Sequence, residues 1–552
     1  MLRELKNLTK QSAIYGLGSV LNTVLGFVLI PVYTRYLSPA DYGVYSLLFI
    51  SGAIARIVAL LGLSTAMFRE VIYHESDEQE VISTTFNFLV IESILFFAAL
   101  IMLAPHISDL LLSSPEYTTL LQLTLLTKLL GMLDFVVMAV LRIRGQAALY
   151  SLLVVSTFLI GIGLNILFIV ILQRGLEGLV LAGLLLAVVT LIIDLFILRK
   201  DLRLVFSLPI LRRMLNYGIP LVPIGLASFL MTSADQYFLE HYSTTAEVGI
   251  YSLGYKFGMA VQLAVTAIQL AWPAQMFAIA KEEGAEKKFA RILTYYVAAL
   301  GFAGLGISAL SREALVIMTT PDYYSAYLVV PLVTLSYIFY GCVSMTNVAL
   351  ETQGRTRISS VIMMGTTGLN LGLNYLLIPS YGMMGAAWAT VISYLALLAV
   401  QVAVNQHYWY IPYEFRRILK IAVAWALVYG LGLLVQTGNP WLDAVLKGFL
   451  LLAFPGVLYA LNFYSRDELE TLRALLRAAA GRARALGRRL AGQAQALRPL
   501  VEREPLRTII VHAHRLRSRV IGRLRSVLLH IHVLRPLPVD ELPPDGPPGG
   551  NG

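Results

Sequence analysis

Charge is scarce in this chain: Asp, Glu, Lys and Arg make up 14% of its 552 residues, while 57% are hydrophobic. A water-soluble globular fold could not hide that much apolar surface, so lipid must solvate most of it. Cysteine is nearly absent. The one thiol, Cys342, lies in an apolar run, can form no internal disulfide and says nothing about redox compartment. No G-x-x-x-x-G-K-[ST] loop occurs, so no ATP hydrolysis is built in. Nor is there a G-x-S-x-G elbow, a Cys/His metal cluster or an Asp-rich metal loop. No cofactor is expected, and movement of a solute is expected rather than an enzyme's chemistry.

What the chain has in abundance is hydrophobic length. Mean hydropathy is +0.72, and apolar runs centre near residues 22, 53, 94, 129, 160, 187, 221, 259, 301, 335, 368, 394, 427 and 452. About 20 apolar residues make one membrane-spanning helix. The expected fold is an all-α integral membrane protein of about 14 transmembrane helices. The chain is also duplicated. Tyr36-Leu-Ser-Pro-Ala-Asp-Tyr-Gly-Val-Tyr-Ser-Leu47 and Tyr242-Ser-Thr-Thr-Ala-Glu-Val-Gly-Ile-Tyr-Ser-Leu253 lie 206 residues apart and share six of twelve positions. Gly163-Leu164-Asn165 recurs as Gly368-Leu369-Asn370, and Gly175-Leu176-Glu177-Gly178 as Gly382-Met383-Met384-Gly385.

Six runs separate the matched motifs, so the second half re-enters the membrane from the same side: the repeat is parallel. Such repeats place a substrate site at their interface near mid-membrane and suit a rocking motion. The expected organisation is a six-helix lobe over 1–207, a second over 208–406, two appended helices over 407–463 and a basic tail over 464–552. Lys and Arg concentrate in one set of loops, whereas the other set holds only Arg35, Arg174 and Arg312. By the positive-inside rule both termini are expected in the cytoplasm, which for a bacterium means a multi-pass inner-membrane protein. Lys447 falls near an outer end and is expected to snorkel.

The formal net charge of +10 comes largely from sixteen arginines after Phe463, so no nucleic-acid partner is expected. Between Arg507 and Arg535 apolar residues recur every three or four positions opposite an arginine face, the pattern of a helix lying on an anionic leaflet. The pairs His512/His514 and His530/His532 project to different faces and make a poor metal site. The Pro/Gly-rich end reads as disordered.

Charges inside apolar runs mark a pathway or a buried pair. The cationic ones are Arg56, Lys128 and Lys256, with Arg69 just past the second run; the acidic ones are Glu92, Asp134, Asp194 and Asp235. Arg56, Arg69, Lys128 and Lys256 are the candidates to line a cavity for a phosphate-bearing substrate. Glu92, Asp134 and Asp235 are candidates for ion coupling or pairing, and Glu92 with Lys128 is one such pair. Asp194 and Asp235, near span ends, read as structural. Pro31, Pro220, Pro223, Pro273 and Pro331 are candidate bends, with Pro220 and Pro223 marking the helix best suited to move.

The opening residues Ser12, Gly16, Gly26 and Pro31, followed by Leu37-Ser-Pro-Ala-Asp-Tyr-Gly-Val-Tyr45, resemble polysaccharide exporters of the O-antigen flippase type. Asp235-Gln-Tyr237 and Val248-Gly-Ile-Tyr-Ser-Leu-Gly-Tyr-Lys256 are similar to the same family's seventh-to-eighth span junction. These exporters are a branch of the multidrug/oligosaccharidyl-lipid/polysaccharide superfamily. The resemblance implies two six-helix lobes around a central cavity that turn a polyprenyl-diphosphate-linked oligosaccharide from the inner to the outer leaflet. It also implies spans one, two, seven and eight at the cavity, hence Arg56 and Lys256, with an arginine where Arg69 stands. Partners would be that lipid-linked oligosaccharide, membrane lipids and enzymes of polysaccharide biosynthesis. A cation-coupled multidrug exporter of the same superfamily and a membrane glycan polymerase remain as alternatives.

Overall fold

The computed structural model describes residues 27–470 apart from 75, 113, 204 and 467. The first apolar run, the amphipathic stretch and the Pro/Gly end therefore lie outside the described residues. No strand occurs among them. In chain order the helices are α1 (Ile30–Tyr36), α2 (Pro39–Ala59), α3 (Leu63–Phe68), α4 (Glu78–Leu112), α5 (Thr118–Leu130), α6 (Asp134–Ile143) and α7 (Ala147–Asn165). There follow α8 (Gly175–Leu198), α9 (Leu208–Gly218), α10 (Val222–Tyr242), α11 (Thr245–Gly258), α12 (Gln262–Ile279) and α13 (Ala285–Met318). Then come α14 (Val330–Thr346), α15 (Val348–Thr352), α16 (Thr356–Tyr408), α17 (Phe415–Leu433), α18 (Pro440–Leu451) and α19 (Phe454–Ala460). Ten helical stretches among the described residues are long and apolar enough to cross a membrane. One of them, α16, is two helices joined at Gly382, whose φ is 52°.

The duplicated motif builds the contact between the lobes. Ser38 caps α2 by accepting from the Asp41 amide at 3.2 Å, and its repeat mate Thr244 caps α11 by accepting from the Glu247 amide at 3.2 Å. The two capped helices then cross almost backbone to backbone. A Cβ on Gly43 would fall on the Thr245 carbonyl oxygen, and a Cβ on Gly249 would fall on that of Pro39. These four positions are repeat mates in pairs, so the crossing is two-fold in sequence as well as in space. Glycine at both 43 and 249 is what permits the approach. Ser46 and Ser252, also mates, both donate to the Gln236 Oε1, at 2.6 and 2.8 Å.

The second repeated signature has a backbone cause. Gly175 and Gly382 both take φ of 52°, each opening a helix after a tight reversal. Gly178 and Gly385 then pass so close to the Phe168 and Leu377 carbonyls that neither could carry a side chain.

At the far end of α2 the chain between the lobes is pinned rather than free. Ser83 on α4 donates to the Asp201 carbonyl at 3.1 Å and accepts from the Arg203 amide at 3.0 Å, and Thr84 accepts from the Ser207 amide at 3.1 Å. Arg144 forks onto Asp201 at 2.7 and 3.0 Å and onto Glu78 at 2.6 Å; the Asp201 hydrogen bonds hold its guanidinium pKa above the usual value. α9 packs on α3. Arg213 binds the buried Glu70 carboxylate through Nε at 3.0 Å and Nη2 at 2.5 Å, and Gly62 meets the backbone of Gly218. Lys447, expected to snorkel, is instead buried in an ion pair with Glu313 at 2.6 Å, which ties α18 to α13.

Beyond Phe463 a separate unit runs over Tyr464–Gly552. Within it, the Ser465 hydroxyl accepts from the Glu468 amide and the Glu468 carboxylate from the Ser465 amide, a reciprocal cap.

Candidate functional site

Both the second span, after α2, and the fourth span carry a break without proline. The span breaks at Gly131–Leu133, between α5 and α6, so that Lys128 ends one helix and Asp134 starts the next. α2 stops at Ala59 with Arg56 in its last turn. These ends converge, with α7 and α8 opposite, on a cavity of about 350 Å³ inside the N-terminal lobe. Its polar lining is Arg56, Lys128, Asp134, Asn165, Thr124, Thr127, Thr190 and Tyr45.

Arg56 Nη2 stands 4.0 Å from Asp134 Oδ2, both side chains about one-third exposed. At that distance the pair is loose, and the Arg56 Nε has no partner among the described residues. Lys128 lies with its amine 4.9 Å from the Phe49 ring centre. Gly52 makes the room: a Cβ there would sit 2.7 Å from Lys128 Cε. Asn165 donates to the Gly161 carbonyl at 2.7 Å while its Oδ1 is buried without a partner among the described residues. Asp194, on α8, is buried, with Oδ2 likewise unpartnered. Two cations in a half-open, membrane-embedded pocket with spare donors can hold an oxyanion.

Of the four expected cavity cations, then, the structure brings together Arg56 and Lys128. Lys256 lies at the α2–α11 crossing, where its amine donates to the Tyr42 hydroxyl at 2.6 Å. The Tyr42 and Tyr45 rings are 6.3 Å apart, and of this group Tyr45, not Lys256, lines the cavity. Arg69 is outside the cavity, its guanidinium 4.6 Å over the Tyr217 ring beside the Glu70–Arg213 pair. Glu92 and Lys128 do not pair: the Glu92 carboxylate accepts from Ser93 at 3.3 Å, because α5 turns Lys128 toward α2 instead.

Asp235 belongs to neither an interface nor this cavity. It is 2% exposed in the C-terminal lobe, where the Tyr251 hydroxyl and the Gln236 amide donate to it, and no cation pairs with it among the described residues. Nearby spans carry further buried polar groups: Asn370 donates to Ser393 at 3.2 Å and Asn374 to Asn370 at 3.1 Å. Charge-spotting passes over neutral residues such as Asn165 and Thr190. The repeat offered the missing signal, since Asn165 and Asn370 are mates and each sits in its own lobe's polar interior.

Residues 32–274 match the family model described as "Polysaccharide biosynthesis protein". No curated protein matches the chain. Among solved structures, the lipid II flippase MurJ in an inward closed conformation superposes with a TM-score of 0.64 at 14% identity, over 82% of this chain and all of that one. An inward-facing multidrug-resistance MATE transporter gives 0.54 at 18%, over 73% of this chain and 96% of its own. A Vibrio cholerae MATE transporter gives 0.51 at 18%, with the same two coverages. Identities this low establish the fold alone: the chain has the all-helical fold of these solved structures, and residues 32–274, less than half of it, match a polysaccharide biosynthesis family model.

Proposed function

We propose that this protein is a flippase that moves a polyprenyl-diphosphate-linked oligosaccharide from the cytoplasmic to the outer leaflet for cell-surface polysaccharide synthesis. The observation that carries the reading is the convergence of Arg56 and Lys128 on one membrane-embedded cavity. Guanidinium and ammonium groups bind phosphate oxygens strongly where water is scarce, and Asp134 is close enough to hold Arg56 when no substrate is present. A multidrug exporter of the same fold commonly carries cationic cargo, which two cavity cations disfavour.

In this reading the protein sits in the bacterial inner membrane with both termini cytoplasmic. The α2–α11 crossing is then the outer closure and the Glu70–Arg213 pair the inner one. Lys256 acts at the outer closure rather than on the diphosphate. Asp235 is the coupling candidate, because an uncompensated carboxylate so deeply buried needs a proton or a cation.

Reconstitution in proteoliposomes tests the proposal. A labelled polyprenyl-diphosphate oligosaccharide on the inner leaflet should become accessible to an external glycan-binding protein only when the transporter is present. Arg56→Ala and Lys128→Ala should each slow this by about tenfold or more without lowering protein yield. Wild-type rates in the double variant would remove the cavity from the mechanism, and efflux of a cationic dye in place of flipping would favour the drug-exporter reading.

A further inference from the structure

The ion pair that ties α18 to α13 uses only one of the Glu313 oxygens. Lys447 donates to Oε1, while Oε2 is buried without a partner among the described residues, and the Ser308 Oγ on the same helix is in the same state. Both residues are 3% exposed, so each holds a polar atom away from solvent at a cost that a hydrogen bond would remove. Space lies against both. Between the end of α13, the end of α17 and the start of α18 are two adjoining chambers of about 260 and 140 Å³, with Arg312 and Gln436 in the walls of both. Glu313 and Asp443 line the larger chamber, and Ser308 and Lys447 the smaller. None of these residues lines the cavity of Arg56 and Lys128.

Two cations and two carboxylates balance here, so the chambers favour neither an anion nor a cation. What they offer is mixed hydrogen bonding: donors on Arg312, Lys447 and Ser308, acceptors on Glu313 and Asp443, and an amide on Gln436 that does both. A hydroxyl also does both, and a ligand with several hydroxyls and an apolar ring face is a sugar. Tyr327 and Tyr429 supply the aromatic wall for such a face, and Trp425 stacks on Tyr429 with ring centres 4.9 Å apart. The space is also far more than one bound water takes, about 30 Å³. We propose that these chambers bind hydroxyls of the substrate's glycan, a site that rests on the flippase reading given above. They stand at the end of the molecule that carries the α2–α11 crossing. The short turn Pro321–Leu328 brings Tyr327 to the smaller chamber and Tyr323 to the Leu37 carbonyl, which its hydroxyl meets at 3.1 Å, just before the Ser38 cap of α2. Thr320 donates likewise to the Thr34 carbonyl at 3.0 Å. A glycan that has passed the crossing therefore meets these chambers on the side to which it is delivered.

The probe is the free oligosaccharide, released by mild acid from the same lipid-linked donor that the flipping assay uses. Its binding to the full chain in lipid nanodiscs is titrated by saturation-transfer NMR, which reads weak association. The wild type should bind it saturably, with transfer strongest to sugar ring protons. Arg312→Ala, at an exposed position, should weaken binding by about tenfold or more, and Gln436→Ala, also exposed, by about threefold. Unchanged melting temperatures would show that both variants remain folded. Binding that neither variant diminishes would put the sugar elsewhere, and no binding of an oligosaccharide whose lipid-linked form is flipped would leave the chambers to ordered water. Either result overturns the proposal while the flippase reading stands. A donor that is never flipped would overturn that reading, and with it the assignment of this site to a transported glycan.

Discussion

Gly52 shows how a residue without a side chain can set the position of a charge. Its missing Cβ leaves the space that the Lys128 stem occupies, 2.7 Å from Cε, and so lets the amine rest over Phe49. Gly52→Ala meets the far end of a flexible side chain, which can swing away, so the helix should form and the protein should be made in normal amounts. The amine, however, is pushed off its seat. Flipping in proteoliposomes should fall several-fold, less than for Lys128→Ala, with the melting temperature little changed. A variant as fast as the wild type would mean that Lys128 does not need this position. Arg56 and Lys128 themselves were legible as charges within apolar runs, because hydrocarbon makes every such charge conspicuous. Asn165 was not, since a neutral amide in a long apolar helix is common and only its repeat mate, Asn370, hinted at a shared role.

Helices broken without proline account for most of what the sequence hid at the level of elements. Leu60–Gly62 interrupts the second span with Leu61 at φ 47° and Gly62 at φ 67°, and Gly131–Leu133 interrupts the fourth. Hydropathy averages across both breaks, so apolar runs appear as single spans, and the prolines that looked like hinges drew attention elsewhere. The appended helices hid a partner in the same way. Lys447 looked like an end-of-span lysine because Glu313, 134 residues away in sequence, belongs to a different apolar run; in the fold the two are 4% and 3% exposed and paired. Glu313→Ala leaves an uncompensated buried ammonium and should destabilise the protein by about 3–5 kcal/mol. Replacing both, with Glu313→Gln and Lys447→Met, should recover most of that loss. Thermal unfolding of the three proteins in the same lipid checks it, and an unstable double variant would mean that the pair does more than neutralise itself.

At the scale of the whole membrane unit, the duplication points to two related halves, but not to where the halves touch. The same motif that revealed the repeat turns out to be the contact, since glycine at 43 and 249 is demanded by the crossing and not by either lobe alone. The lobes are joined at both ends of α2: at one by the α2–α11 crossing with Ser46 on Gln236, at the other by α9 with Arg213 on Glu70. Alternating access requires these closures to open in turn. In a Cys342→Ala background, a short thiol-cleavable cross-linker between Ser46→Cys and Gln236→Cys should therefore stop flipping, and reductant should restore it. A second pair, Glu70→Cys with Arg213→Cys, should behave alike. A bridge at the closed end holds what is already in contact, so the block arises only when the cycle calls for separation; binding of inorganic diphosphate should survive while transport stops. Flipping that continues through both bridges would mean that the lobes work without parting, and the two-fold crossing would then be a hinge instead of a gate.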